Sequence, residues 1–375
     1  MLPFAALVLL AGLLAFANGS NDVSKGIATL VGSGVTNFRT AVVWGTAWTV
    51  AGGLVAAFAT QRLVATFSGA GFLAAPISGA AFPTAVAAGA IAWILFASRT
   101  GLPVSTTHAI AGALAGAGIV SQGASALHWA FLARKVALPL ALSPLISAAL
   151  IYAVFPLIHR GVLRAQAYCV CIERRFAIAA AGGMAMSPVS GAEISSTVVS
   201  PTADCDVSPT VTARVDALDA LHWFSSALTS FARGVNDTPK IVALGIAASA
   251  GLGISGFSFY ALVAAAMGAG SLAAGFRVTE TLARRVTPMS PAEGFCANLV
   301  TTLLVGLASV AALPVSTTHV SSGAIIGIGL HRGASAVRWP TVRDMLLAWL
   351  VTLPVAALVG GLACGVLRAL ARISL

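Results

Sequence analysis

The hexapeptide Pro-Val-Ser-Thr-Thr-His occurs twice in this 375-residue chain, at 103–108 and at 314–319. Ser and Thr at a helix start place hydroxyl groups beside backbone N–H groups that have no intrahelical acceptor. That end of a helix also carries a partial positive charge, so the combination binds anions. Two copies are enough to replace the hydration shell of a tetrahedral oxyanion. We therefore predict a substrate site built from Ser105, Thr106, Thr107, Ser316, Thr317 and Thr318.

The same residues also fit a purely structural role. Ser and Thr are ordinary helix N-caps, and Pro103 and Pro314 are expected in the first turn of each helix, where no N–H partner is lost. A single copy would favour capping, but two identical copies in apolar surroundings favour binding. His108 and His319, which close the hexapeptides, are expected to be hydrogen-bond partners in the cavity or proton carriers.

A second duplicated group lies upstream of each hexapeptide, where an Asn-Asp pair is followed three residues later by Lys. Ionised carboxylates at membrane depth are costly, so they face cavities or cations and are functional by default. Each Asp also lies on the same helix face as its own Lys, but simple pairing does not explain why the group occurs twice. We predict binding of substrate or of a coupling cation by Asn21, Asp22, Lys25, Asn236, Asp237 and Lys240.

The composition indicates that lipid is the solvent for most of the chain. Hydrophobic residues make up 58% and charged residues 9%, with a mean hydropathy of +0.95, whereas soluble domains carry about 25% charged residues. The net charge of +10 comes from short Lys and Arg clusters between apolar segments, which favours membrane orientation over nucleic-acid binding. We predict a multi-pass protein of the cell membrane with no nucleic-acid partner.

Ten apolar stretches form two series, and several are shorter than the roughly 20 residues of a full crossing. Short segments that end at Gly, Pro, Asn or Asp are typical of broken or re-entrant helices, and Gly19 and Gly234 are expected to let the backbone open. The spacing of small residues four positions apart predicts close helix packing, at Gly112, Gly116, Gly323 and Gly327. The stretches lie near 3–18, 40–60, 82–98, 104–120, 136–158, 217–232, 241–274, 296–312, 315–330 and 345–367.

Residues 160–215 differ from the rest, because a basic start (Arg160 and Arg164) leads into sequence rich in Ser, Thr, Pro and Val. We expect a small extramembrane insert that begins on the cytoplasmic side, between repeats at 1–159 and 216–375. The spacing of its cysteines, Cys169, Cys171 and Cys205, matches a zinc site poorly. Ordinary buried thiols are therefore expected there in place of a metal site. No cofactor is predicted. Residues 1–18 are expected to be a membrane segment and not a signal peptide, since 221–232 precedes the second Asn-Asp pair in the same way.

The doubled Gly-x-Asn-Asp signature and the doubled hexapeptide resemble the inorganic phosphate transporter (PiT) family of sodium- or proton-coupled symporters. The resemblance covers nearly all of the chain outside 160–215. It implies an all-α polytopic fold of about 10–12 membrane segments, with inverted repeats and re-entrant hairpins whose tips carry Ser-Thr-Thr. It also implies phosphate at the centre, with Asp22 and Asp237 holding substrate or sodium. In both halves, however, Lys25 and Lys240 stand where the family has Asn.

We therefore expect a secondary active phosphate transporter in which the two halves rock around a central site. Lys25 and Lys240 supply two positive charges, which favours a proton over sodium as the coupling cation. The alternative is that both lysines extend away and leave a sodium site. Sulfate is the rival substrate, and an intramembrane hydrolase is a remote alternative because it needs one asymmetric set of groups. The oligomeric state stays open, a homodimer included.

Overall fold

The computed structural model describes residues 1–69, 71–75, 77, 79–177, 192–201 and 211–373. The first series of helices ends at residue 166, with a 3₁₀ turn (Ala124–Ala126) and a π-helical turn (Leu132–Ala137) before its last member. The helices are α1 (Leu2–Asp22), α2 (Ser24–Gly32), α3 (Phe38–Ala59), α4 (Gln61–Phe67), α5 (Ala81–Thr100), α6 (Thr106–Gln122), α7 (Trp129–Phe131) and α8 (Leu138–Gln166).

The second series repeats the first in the same order. It consists of α9 (Ala217–Gly251), α10 (Gly256–Ala274), α11 (Phe276–Arg284), α12 (Pro291–Val310), α13 (Thr317–Arg332) and α14 (Trp339–Ile373), with a 3₁₀ turn at Ala334–Ala336. Even local contacts recur: the indole Nε1 of Trp129 donates to the carbonyl oxygen of Ala124 at 3.0 Å, and that of Trp339 to Ala334 at 2.9 Å. The duplication seen in the sequence is therefore a duplication of structure.

The Asn-Asp pairs do not open the backbone, contrary to the prediction. Helix α9 runs without interruption through Asn236-Asp237 and even through Pro239, so the predicted gap between 232 and 241 is wrong. In the first repeat only Val23 separates α1 from α2, and its φ of −56° and ψ of −32° are still helical.

The two glycines beside the Asn-Asp pairs serve helix packing. A Cβ atom on Gly19 would collide with the carbonyl oxygen of Met267, and one on Gly234 with that of Thr49. Each glycine thus lets its helix approach a helix of the other repeat, α1 against α10 and α9 against α3. Glycine is required at these two positions because any side chain would hold the helices apart, as in other membrane bundles.

Around the hexapeptides, too, helices of one repeat pack against helices of the other repeat. Helix α6 packs against α14, and α13 packs against α8. Gly112 and Gly116 face the carbonyl oxygens of Leu353 and Ala357, while Gly323 faces that of Pro144. The repeats therefore interlock, and rocking of the two halves stays a prediction. Helices α1, α3, α9 and α10 form a central group, α5, α6 and α14 pack together beside it, and α12 packs against both α9 and the α8–α13 pair.

The molecule exposes apolar side chains and buries the charged side chains of its centre, which is the arrangement expected in lipid. Leu157, Val310 and Leu350 are 79%, 84% and 74% exposed, whereas Lys25 and Lys240 are buried. Within the described chain, seven helices are long and apolar enough to cross a membrane. Helices α6, α9 and α13, which carry much of the predicted site, are outside that set. The fold is an all-α polytopic membrane bundle, as the sequence predicted.

The segment between the repeats contains a three-stranded antiparallel sheet. Its central strand β1 (Tyr168–Ala177) pairs with β2 (Ala192–Pro201) on one side and β3 (Val211–Asp216) on the other. Helix α8 extends through Gln166, so residues 160–166 of the predicted insert are helical. The Sγ atoms of Cys169 and Cys171 are 3.0 Å apart, while Cys205 lies outside the described residues. No group of three metal-ligating side chains occurs in the described ranges.

Candidate functional site

Each hexapeptide lies at the tip of a helical hairpin. The α5–α6 hairpin turns at Gly101, with a φ of +76°, and the α12–α13 hairpin turns at the equivalent Ala312, with a φ of +54°. Both values lie in the left-handed region that side chains other than glycine rarely adopt. The chain then runs extended into the helix start. Every side chain from Ser105 to His108 and from Ser316 to His319 is buried.

The two serines cap the helices that follow them. Ser105 Oγ accepts a hydrogen bond from the backbone N–H of His108 at 3.2 Å, and Ser316 Oγ accepts one from His319 at 3.2 Å. Capping thus accounts for one hydroxyl in each copy. Since the helices begin at Thr106 and Thr317, both prolines precede the N-cap by two residues and lie outside the first turn, which corrects the prediction for Pro103 and Pro314.

The two hairpin tips meet and exchange hydrogen bonds. Thr107 Oγ1 donates to the carbonyl oxygen of Val315 at 3.2 Å, and Thr318 Oγ1 donates to that of Val104 at 2.7 Å. Two helix N-termini, 211 residues apart in the chain, therefore converge on one buried place. Their first-turn N–H groups have no intrahelical acceptor, so this place attracts an anion.

The two histidines lie side by side, with ring centroids 4.6 Å apart. His319 Nδ1 is 2.9 Å from the carbonyl oxygen of Leu140, and a carbonyl only accepts, so Nδ1 carries the proton. His319 Nε2 and His108 Nδ1 have no hydrogen-bond partner among the described residues. The geometry fits the predicted hydrogen-bonding or proton-carrying role, which stays a prediction.

Asp22 lies at the end of α1 and receives three donors. Lys25 Nζ is 2.6 Å from Oδ1, Asn18 Nδ2 is 2.7 Å from Oδ2, and Thr106 Oγ1 is 3.1 Å from Oδ2. Lys25 also donates to the backbone oxygen and to Oδ1 of Asn21, both at 2.8 Å. Since an ammonium has three donors, the protein already engages all of them.

Asp237, in the middle of α9, has a matching set of partners. Lys240 Nζ is 3.2 Å and Asn236 Nδ2 is 3.0 Å from Oδ1, while Asn18 Nδ2 is 3.3 Å from Oδ2. Asn18 therefore links the two carboxylates across the repeats. Lys240 places its other two donors on Thr107 Oγ1 at 2.7 Å and on the carbonyl oxygen of Val315 at 3.0 Å.

Both lysines point inward, so they do not extend away from the carboxylates. Lys25 is 2% exposed and Lys240 is fully buried, and each forms an ion pair with its own Asp. A buried charge is tolerated when it is paired and hydrogen-bonded. An ammonium group therefore lies within ion-pair distance of each carboxylate.

The two predicted asparagines connect the helices to the hairpins. Asn21 Nδ2 donates to Ser98 Oγ at 3.1 Å, and its Oδ1 accepts from the N–H of Val104 at 3.1 Å. In the second repeat, Asn236 Oδ1 accepts from Ser309 Oγ at 3.3 Å. These amides position the hexapeptides relative to the aspartates.

Sequence analysis missed two residues of this centre, Asn18 and Arg233. They occupy equivalent positions, each four residues before the Asp of its own repeat, and that offset is the signal that identifies them. Arg233 directly follows the apolar stretch near 217–232. It is 1% exposed, and its Nη2 donates to Thr49 Oγ1 at 2.9 Å.

Comparisons with known proteins match nearly the whole chain. A sequence profile described as the Phosphate transporter family matches residues 7–360. A Rhizobium meliloti protein named "Probable low-affinity inorganic phosphate transporter" is 29% identical over 95% of this chain and 96% of its own length. An Arabidopsis thaliana protein, "Inorganic phosphate transporter 2-1, chloroplastic", is 28% identical over 90% and 68%. A solved structure titled "The sodium-dependent phosphate transporter" has a TM-score of 0.78 at 21% identity, over 98% of this chain and 100% of that one.

Proposed function

Since the chain belongs to the phosphate transporter family, we propose that it is a secondary active transporter that moves inorganic phosphate by alternating access and couples this movement to protons. It is a multi-pass integral membrane protein and not an enzyme. One observation carries the proposal: the hydroxyl-bearing N-termini of α6 and α13 converge beside Asp22 and Asp237 in the buried centre.

Phosphate is favoured over sulfate because of the carboxylates. Shape and overall hydrogen bonding are alike in the two anions, but only a protonated phosphate can donate to an acceptor. Asp22 and Asp237 provide acceptor-only oxygens next to the helix N-termini that attract the anion. A sulfate ion there would face these oxygens without a proton to share.

Protons are favoured over sodium because the protein supplies its own cations. Two aspartates and an anionic substrate require positive charge in a dry site. Lys25 Nζ and Lys240 Nζ provide it at 2.6 and 3.2 Å from the carboxylates. Buried Lys can also change its protonation state more readily than Arg. The solved structure titled sodium-dependent shares the fold at 21% identity, and a shared fold does not determine the coupling ion.

Alternating access requires units that move past the bound ion. We infer that two hairpin bundles, α5–α6–α14 and α8–α12–α13, move relative to the central α1, α3, α9 and α10, with sliding at the α1–α5 and α9–α12 contacts. Each bundle carries one hexapeptide tip, so such a motion would open one side of the site while the other tip still covers it.

Reconstituted liposomes test the proposed function directly. We expect uptake of labelled phosphate without sodium, stimulation by an inward proton gradient, and weak competition by sulfate. Liposomes lacking the protein provide the background. Strict sodium dependence would refute proton coupling, whereas stronger uptake of sulfate than of phosphate would refute the substrate assignment.

A further inference from the structure

Arg233 is the one cationic side chain of the described centre whose donors are largely unused. Its Nη2 donates to Thr49 Oγ1 at 2.9 Å, but Nε and Nη1 have no hydrogen-bond partner among the described residues. An Arg guanidinium carries five N–H donors, and three of them belong to these two nitrogens. Buried polar groups almost always have partners, so this arrangement calls for a ligand.

The two lysines cannot bind a ligand unless they break hydrogen bonds that they already make. Lys25 engages Asn21 twice and Asp22 once, and Lys240 engages Thr107, Asp237 and Val315. Every ammonium donor is therefore already used by the protein. Arg233 is as deeply buried as the lysines, at 1% exposure, yet three of its donors remain free.

The position of Arg233 places it at the centre. It lies one helical turn before Asp237 on α9, and its charge interacts with the carboxylates of both Asp22 and Asp237. Neither carboxylate lies within salt-bridge distance of the guanidinium in the described structure, so this attraction does not use up the free donors. Ser230, on the same face of α9, also presents a buried hydroxyl without a partner. Two buried side chains on this face of α9 therefore present polar atoms without a partner among the described residues.

Arg233 also changes the charge of the centre. The two aspartates and the two lysines cancel, so Arg233 leaves one net positive charge among the described ionised groups around Asp22 and Asp237. Its counterpart in the first repeat is the neutral Asn18. The duplicated site is thus asymmetric, and its single excess charge matches a monoanionic substrate or a dianion that arrives with one proton.

We propose that Arg233 is a direct ligand of the transported oxyanion, with Nε and Nη1 donating to two of its oxygens. This inference rests on the proposed function and adds a residue to it. A guanidinium is suited to the task because its planar fork binds phosphate oxygens in bidentate fashion, which Lys does not reproduce. Thr49 holds the opposite edge of the guanidinium and positions it.

Equilibrium binding of labelled phosphate to the purified full-length protein in nanodiscs tests this inference. We expect Arg233→Gln to weaken phosphate binding by about tenfold or more, and Arg233→Lys to weaken it clearly although the charge is kept. The matched control is Arg343→Gln, which removes an exposed guanidinium on α14. We expect its affinity to stay within about threefold of the unmodified protein, since Arg343 pairs only with the exposed Asp344 beside it.

Two results would overturn the proposal. One is a folded Arg233→Gln protein, with an unchanged melting temperature, that binds phosphate as tightly as the unmodified protein. The other is an equal loss in Arg343→Gln, because the effect would then not be specific to the buried guanidinium. The same titration with sulfate separates this inference from the proposed function. If the unmodified protein binds sulfate in place of phosphate, the assigned substrate is wrong, while the effect of Arg233→Gln on sulfate affinity still tests the ligand role.

Discussion

The ammonium nitrogen of Lys240 lies 2.7 Å from the hydroxyl oxygen of Thr107, so a cation of the second repeat is held by the hexapeptide of the first. The equivalent lysine differs, because Lys25 uses all three donors on Asn21 and Asp22 of its own repeat. The two halves of the site are therefore similar in residues but different in their hydrogen bonds.

This difference predicts unequal effects of removing the threonine hydroxyls. Thr107→Val leaves the buried Lys240 short of an acceptor, which costs about 1–3 kcal/mol. Thr318→Val removes only a donor to a backbone carbonyl. We expect phosphate affinity to fall in Thr106→Val, Thr107→Val, Thr317→Val and Thr318→Val, with the largest loss in Thr107→Val. Isothermal titration with phosphate measures this, and unchanged affinity in all four variants would leave the threonines a purely structural role.

The carboxylates at the centre are expected to be essential for transport. Asp22→Asn and Asp237→Asn keep the shape but remove a charge that is paired with a buried lysine. We expect uptake to fall by about tenfold or more in each, which corresponds to about 1.4 kcal/mol. Asp344→Asn, on the exposed side of α14, is the matched control and should transport normally. Near-normal uptake by both central variants, in vesicles with equal protein content, would contradict this role.

The lysines are expected to replace an external cation. Lys25→Asn combined with Lys240→Asn removes two positive charges from beside Asp22 and Asp237. Buried carboxylates without partners are costly, so the double variant should require sodium for uptake, whereas the unmodified protein should not. Uptake measured against imposed sodium gradients decides the matter. A double variant that stays sodium-independent and active would show that the lysines do not set the coupling ion.

Glycine packing between the repeats is expected to limit stability. A Cβ atom on Gly116 would collide with the carbonyl oxygen of Ala357, whereas Gly306 has nothing within 4 Å. Gly116→Ala should destabilise the protein by about 1–3 kcal/mol through overpacking. Gly306→Ala should be neutral or stabilising by up to about 1 kcal/mol, since Ala is the better helix former. Thermal unfolding followed by tryptophan fluorescence compares the two, and equal melting temperatures would contradict the packing argument.

Local patterns in the sequence predicted the duplication, and the family resemblance implied the hairpin tips that carry Ser-Thr-Thr; the hydrogen bond of Thr106 to Asp22 was not predicted. The local patterns did not predict the course of α9, since Pro239 and the Asn-Asp pair indicate a break that tertiary packing overrides. Arg233 was missed because a charge at the end of an apolar stretch is ordinarily a membrane boundary. A charge in a central site is buried, whereas a charge at a membrane boundary is exposed. Burial depends on residues distant in the sequence, so the local pattern does not show it.

The exchange of helices between repeats has a consequence for biogenesis. Helices α1, α3 and α6 emerge first from the ribosome, but their packing partners α10, α9 and α14 belong to the later part of the chain. Gly19, Gly112 and Gly116 therefore have no helix of the second repeat to pack against until translation reaches it. The proposed site, which draws on both repeats, can be complete only after the second repeat has been inserted.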